Sequence, residues 1–328
     1  MKPEDKERIE RILGTGLIPR ELAPDFIDDD PDQALRALVD LLLGEIGTVH
    51  KKAKDPKEPK EPKEPKPKGV PVTQNLNPTL FKPLFGGAKR FRIGVVSDNH
   101  INSKYTQITF LHRFYQLAYS LGVRDFFNIG DIDEGEEMRA GHKYECYTQG
   151  TTEHVNEICR VYPQIEGATT YFITGNHDAS HMKRSGVDIG EMIASKRSDM
   201  IFLGRDCAIV ELAPGCHMEL RHPWDGAAYA ISYKSQKMID AMSGGEKPKI
   251  LLVGHYHKAE YIFYRNIHCL QAGTTCAQTP FMKGKSIAAH TGGWIVDFEI
   301  DETGTVIWFS PTFIPQYYAI PEDYLNWR

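Results

Sequence analysis

No run of eighteen apolar residues occurs in this chain, so no membrane span is expected. The charged N-terminus, Met1-Lys2-Pro3-Glu4-Asp5, is not followed by an apolar stretch, which argues against secretion. Six cysteines (Cys146, Cys159, Cys207, Cys216, Cys269 and Cys276) are scattered without any C-x-x-C spacing. They read as reduced core or loop residues, not a disulfide framework, and a cytoplasmic location is expected. A formal net charge of -5 gives no global attraction to nucleic acid, although a local basic groove stays open because clustered acidic site residues inflate the negative count.

What is present is the composition of an ordinary globular protein, 41% hydrophobic and 25% charged. Residues 51–69 mark the clearest boundary. Three Lys-Glu-Pro units repeat there, with eight lysines against four acids and Ala53 the one small apolar side chain. Proline at every third position forbids a helix, so an extended spacer is expected, either a solvated tether or a weak contact to a phosphate backbone. Before it, residues 1–50 hold two candidate helices. One, over 4–14, has Ile9, Ile12 and Leu13 on a stripe. The other starts at Asp30-Pro31, a good N-cap and first-turn pair, and runs to about residue 46. Such a segment makes little core alone. A docking or self-association module, binding a protein partner or a second copy, is the expected use; the acidic run Asp28-Asp29-Asp30 speaks against DNA binding.

From about residue 70 to 328 one larger domain is expected. Strand-like runs at 91–97, 125–129, 169–174, 217–220 and 249–253 alternate with helical patterns at 106–121, 151–161 and 227–242. A hairpin pattern over 293–300 and 305–309 follows. The expected fold class is α/β, a layered, mixed β-sheet sandwich flanked by helices.

Four of these runs end in groups that ligate metals. Asp98 and His100 lie two apart past a strand end. Asp131 follows a glycine after an apolar strand, where a carboxylate with two oxygens can bridge two cations. Asn176-His177-Asp178 follows Gly175 and combines a neutral oxygen donor with a histidine whose neighbour Asp178 is expected to orient it as a general acid. His255 and His257 flank Tyr256, and alternation in an extended segment sends both rings to one side. His222, past another strand, completes the set.

In order, D-x-H, G-D, G-N-H-D, a lone His and G-H-x-H resemble the motifs of the metallophosphoesterase (calcineurin-like phosphoesterase) superfamily over roughly residues 90–300. The resemblance implies two divalent cations, one on Asp98, His100, Asp131 and His257, the other on Asp131, Asn176, His222 and His255. Nitrogen and oxygen donors without thiolate are compatible with Mn, Fe, Zn, Co or Ni, and their softness does not choose among these; Mn is the first expectation, Fe or Zn the next. It further implies a dinuclear-metal-dependent hydrolase of phosphate esters working through a metal-bridging hydroxide, with His177 and Asp178 as catalytic residues. Ile132-Asp133-Glu134-Gly135 stands where many phosphatase members carry an aspartate-arginine pair. A phosphodiesterase is therefore expected, with Asn99, Asn102 and Lys104 placed to hydrogen-bond a diester oxygen and repair-exonuclease-like action on DNA as its specialisation. A phosphomonoesterase or protein phosphatase, and a non-catalytic scaffold of the same fold, are the alternatives. The insert 134–150 reads as a lid or wall presenting His142, Lys143 and Tyr144, and 181–186 and 279–286 as loops carrying basic groups and Phe281.

Overall fold

Strands covered on both faces lose the apolar–polar alternation of a surface sheet and read as continuous hydrophobic runs. Residues 250–253, Ile-Leu-Leu-Val, are buried at every position for this reason. A computed structural model describes residues 80–81 and 90–328. The helices expected over 4–14 and 30–46, and the spacer at 51–69, lie outside the described residues.

In chain order the strands are β1 (Leu80–Phe81), β2 (Arg90–Val96), β3 (Asp125–Ile129), β4 (Thr169–Thr174), β5 (Met200–Arg205) and β6 (Cys207–Ala213), then β7 (Cys216–Arg221), β8 (Ile250–Val253), β9 (Ala259–Tyr264), β10 (Ile267–Ala272), β11 (Gly292–Ile300) and β12 (Val306–Pro315). The helices are α1 (Ile108–Ser120), α2 (Thr151–Val161), α3 (Ala179–Ser185), α4 (Ile189–Lys196), α5 (Tyr233–Asp240) and α6 (Pro280–Gly284). One sheet has the order β12-β11-β2-β3-β4-β5, parallel from β2 to β5, with β11 antiparallel to its neighbours on both sides. The other runs β1-β6-β7-β8-β10-β9, with β7, β8 and β10 parallel.

The sheets stack face to face, and the period of two in each strand decides which side chains fill the space between them. Ile93, Val95, Phe127, Ile129 and Ile173 from one sheet meet Val210, Met218, Leu220, Ile250 and Leu252 from the other in a single apolar layer. The residues one step out of phase point the other way. Phe126 and Phe172 pack under α1, α2 and α4 against Leu111, Phe114, Ile158 and Ile193. Leu251 and Val253 pack against Ile239 of α5. The architecture is the expected mixed sandwich flanked by helices, and among the described residues no helix is long and apolar enough to cross a membrane.

The bounds read from sequence for β3, β4 and α2 are those observed. Five strands, β1, β5, β6, β9 and β10, were not anticipated. The segments read as loops at 181–186 and 279–286 contain helix, α3 and α6; each is too short to display a helical period. The helix expected over 227–242 shrinks to α5.

Helix α1 has no side-chain cap of its own, because Gln107 at its N-cap makes no such bond. The fully buried Asp323, from the C-terminal turn, takes over the role. Its carboxylate accepts from the Thr109 backbone N–H (2.7 Å) and the Thr109 hydroxyl (2.6 Å). This places a negative charge on the positive end of the helix dipole and closes two donors. Replacement Asp323→Ala is expected to cost about 1–3 kcal/mol in urea unfolding, since the part-buried Thr109 donors then lose their acceptor.

Candidate metal centre

Parallel strands deliver their C-terminal ends to one edge of a sheet, and loops that follow are forced together there. The loop after β2 and the loop after β3 are laced by backbone bonds from Asp98 N–H to the Gly130 carbonyl (3.0 Å) and from His100 N–H to the Asp131 carbonyl (3.1 Å). The loop after β8 joins them when the His255 N–H donates to the Asp98 carboxylate (2.9 Å). The loop after β4 joins when the His177 N–H donates to Asp131 Oδ1 (2.8 Å).

The backbone at these positions is unusual. Asp98, His100, Asp131, His255 and His257 all have positive φ, between 47° and 77°. A left-handed conformation costs a residue with a Cβ about 1–2 kcal/mol, and such strain persists where the surroundings over-determine it, typically at functional sites. Space is equally tight. A Cβ on Gly175 would strike the Asp131 carboxylate and lie 2.6 Å from His222 Nε2, while one on Gly254 would strike the Ile129 carbonyl and lie 2.8 Å from His222 Nδ1. The glycines before Asn176 and His255 are there so that His222 fits.

Two clusters of donors result. In the first, His100 Nε2 and His257 Nε2 approach to 3.1 Å, with Asp98 Oδ1 3.3 Å from the latter and 3.9 Å from the former. In the second, His222 Nε2 lies 3.1 Å from Asp131 Oδ2 and 3.2 Å from Asn176 Oδ1, and His255 offers a nitrogen within 4.8 Å of the Asp131 and His222 donors. All seven sequence-derived ligand candidates thus fall into two adjoining groups.

The outward nitrogens favour a cation. His222 Nδ1 donates to the Ile129 carbonyl (2.6 Å), His255 Nε2 donates to the Asp225 carbonyl (2.7 Å), and His100 Nδ1 lies 3.0 Å from Glu134 Oε2. Each arrangement turns the other ring nitrogen, with its lone pair, toward the cluster, as the outer contacts of metal-bound histidines do. His257 Nδ1 and His100 Nδ1 are both buried without a well-directed hydrogen bond, the latter only in charge contact with Glu134. The donor set is imidazole, carboxylate and amide, which suits divalent first-row metals. Burial alone would lower the His222 imidazole, but the Asp131 carboxylate pushes it up to about 10, whereas burial and the neighbouring His222 charge bring His255 down to about 4. Burial would raise Asp131, yet His222 and His177 hold it well below the usual carboxylate range.

His177 sits edge-on to His100, ring centroids 4.6 Å apart, and its Nδ1 donates to the Glu134 carbonyl at 2.5 Å. Asp178 does not take the orienting role expected of it. Its carboxylate turns into the loops and accepts the backbone N–H groups of Gly175 (2.8 Å), Asp133 (2.9 Å) and Ile132 (3.3 Å). Adjacent residues in a turn diverge, so proximity in sequence did not become contact.

Asn99, Asn102 and Lys104 are likewise engaged away from any substrate. Asn99 donates to Thr275 Oγ1 (2.8 Å), Asn102 to Asp133 Oδ1 (2.6 Å) and Lys104 to the Tyr144 carbonyl (2.8 Å). Within the 134–150 insert, His142 is fully buried while Tyr144 points into solvent, and the residues that face the site are Glu134 and Arg139.

Two functional groupings were not visible in the sequence. Glu134 binds both His100 and, through Oε1, His142 Nε2 (2.6 Å), and these imidazoles more than offset burial to hold its carboxyl below the usual range. Asp133 accepts from His154 Nδ1 (2.8 Å) and His181 Nε2 (2.7 Å). The far nitrogens of those two rings meet the Thr148 carbonyl and Thr151 Oγ1, so this buried triad is a satisfied lock between α2, α3 and the loop after β3. A histidine among apolar positions, as in His154-Val155, was the one available hint.

Five separate motifs are thus brought together where strand ends of the two sheets converge. Among solved structures, the chain is similar to a novel archaeal phosphodiesterase at 12% identity (68% of this chain, 100% of that one, TM-score 0.37). It is similar to a predicted phosphoesterase from Streptococcus pneumoniae at 14% (69% and 99%, TM-score 0.34). A third likeness is to wild-type Vps29 complexed with Zn2+ from Entamoeba histolytica, at 15% (69% and 99%, TM-score 0.33). No family model matches the chain, and no curated protein matches it.

Glu134→Gln is expected to weaken divalent-metal affinity about 10–100-fold, read by competition with a chelating dye. Asp133 gives a separate test. Burial would raise its carboxyl, but His154 and His181 hold it well below the ordinary value. Its contribution is therefore present above the unfolded pKa of about 4 and lost as pH falls toward the folded value. Asp133→Asn is expected to cost about 3–5 kcal/mol at pH 7 and to flatten the acid limb of stability below about pH 4, measured by urea titrations at stepped pH.

Proposed function

We propose that the chain is a phosphoesterase that hydrolyses small phosphodiesters with two divalent cations, manganese being the first metal to test. The observation that supports this most is the pair of adjoining nitrogen and oxygen donor clusters with the His177 imidazole on their rim. Asp98, His100, Asp131 and His257 would hold one cation, and Asp131, Asn176, His222 and His255 the other. Bound there, the cations supply Lewis-acid charge compensation and a nucleophile at neutral pH.

The protein's own groups supply the rest. With Nδ1–H committed to the Glu134 carbonyl, His177 presents Nε2 to the cavity beside the clusters. Burial would lower this imidazole, but the Asp131 and Glu134 charges raise it above the ordinary histidine value. On its position beside the clusters, with Nε2 toward the cavity, we assign His177 as the general acid that protonates the leaving alkoxide. Asp178 holds the loops after β3 and β4 in register and so positions His177 and Asp131.

A diester fits better than a monoester on charge. Arg139 is the one arginine or lysine lining the cavity, and its guanidinium is paired with Glu145 at 2.5 Å. Little cationic charge beyond the metals is left for a second phosphate charge. We further propose that residues 1–50 serve as a docking or self-association module on the 51–69 tether.

With Mn2+ loaded, turnover of bis-p-nitrophenyl phosphate is expected to exceed that of p-nitrophenyl phosphate, and single- and double-stranded DNA test the exonuclease specialisation. His177→Ala should lower diester turnover by about 10²–10⁴ with metal content unchanged by elemental analysis. Faster monoester turnover overturns the diester assignment, and bound metal without any turnover favours the scaffold.

A further inference from the structure

A cavity of about 230 Å³ opens beside the rings of His177, His255 and His257. Its lining divides by chemistry: imidazoles and the Glu134 carboxylate from the clusters, and an apolar wall of Phe281, Met282 and Ile287, with Cys276, Gly226 and Ala227 also lining the cavity. Helix α6 builds this wall. The Thr279 hydroxyl caps it by accepting the Met282 N–H (3.2 Å), so Met282 is buried while Phe281 keeps 43% of its surface exposed.

The polar groups near this wall are already engaged. Tyr256 donates its hydroxyl to Asp225, Glu134 meets His100 and His142, and Arg139 is paired with Glu145. What remains is apolar surface and one flat cation: the Arg139 guanidinium lies over the Phe281 ring, 4.5 Å from its centroid. A wall of this kind does not read hydrogen-bonding edges. It recognises burial and planarity, which an aromatic ring packed beside this guanidinium–phenyl pair and against the aliphatic side chains provides. The volume is below the roughly 300–1,000 Å³ of drug-sized sites, so one ring fits and a stacked strand does not.

We infer that the phosphate ester handled here carries a planar aromatic group, aryl or nucleobase, seated against Phe281, Met282 and Ile287 on the His177 side of phosphorus. This rests on the phosphoesterase reading above, so the test uses binding and does not need turnover. Calorimetric titration of the Mn2+-loaded full-length chain with phenylphosphonate and methylphosphonate is expected to show the phenyl compound binding at least about tenfold tighter. Thymidine 5′-monophosphate against deoxyribose 5-phosphate forms the second pair. Preference in the first pair alone assigns an aryl ester, and preference in the second assigns a nucleoside. In Phe281→Ala, with its circular dichroism spectrum checked, the aromatic preference should fall to within about threefold of unity.

Equal affinities within both pairs in the wild-type protein overturn the inference. Bis-p-nitrophenyl phosphate hydrolysis on the same preparation separates the two layers. An aromatic preference without hydrolysis supports the pocket and overturns the phosphoesterase reading; hydrolysis without a preference does the reverse.

Discussion

Asp131 holds a buried negative charge between His222 and the backbone of His177, and the geometry of the site depends on that placement. A carboxylate taken out of water must be compensated by opposite charge and hydrogen bonds. Here the compensation comes from the loops after β4 and β7, which belong to different sheets. The glycines before Asn176 and His255 remove the side chains that would hold His222 away. The sandwich core places the strand ends, and the unsolvated charge draws the loops inward.

Surrounding this centre is a shell of carbonyls and carboxylates that determine which face each imidazole presents. Ile129, Asp225 and Glu134 each take one nitrogen of a different histidine. The Asp133–His154–His181 lock then ties α2 and α3 to the loop after β3, so that the two carboxylates after Asp131 serve outward and inward neighbours respectively. Sequence neighbours thus divide the work: Asp133 faces the helices, Glu134 the clusters.

The strands that carry the motifs were legible because burial on both faces makes them largely apolar runs, continuous in residues 250–253. Antiparallel β9 was not, since AEYIFY mixes charge and aromatics and is covered only in part. The ligand types and their convergence were also legible, because aspartate, asparagine and histidine after glycine at strand ends are costly without a purpose. The second tier was not. Asp178 and Asn102 serve backbone groups and loops that sequence spacing does not bring near, and Glu134 reaches His142 only because the insert folds back in a short turn. Contacts of that kind are set by tertiary path, on which local pattern is silent.

The left-handed backbone at Asp98, His100, Asp131, His255 and His257 has one more consequence. The residue most at ease in those conformations is glycine, which has nothing to donate to a cation. Selection for sturdiness alone would therefore empty these five positions of their chemistry, and a chain that retains all five trades resilience for reactivity.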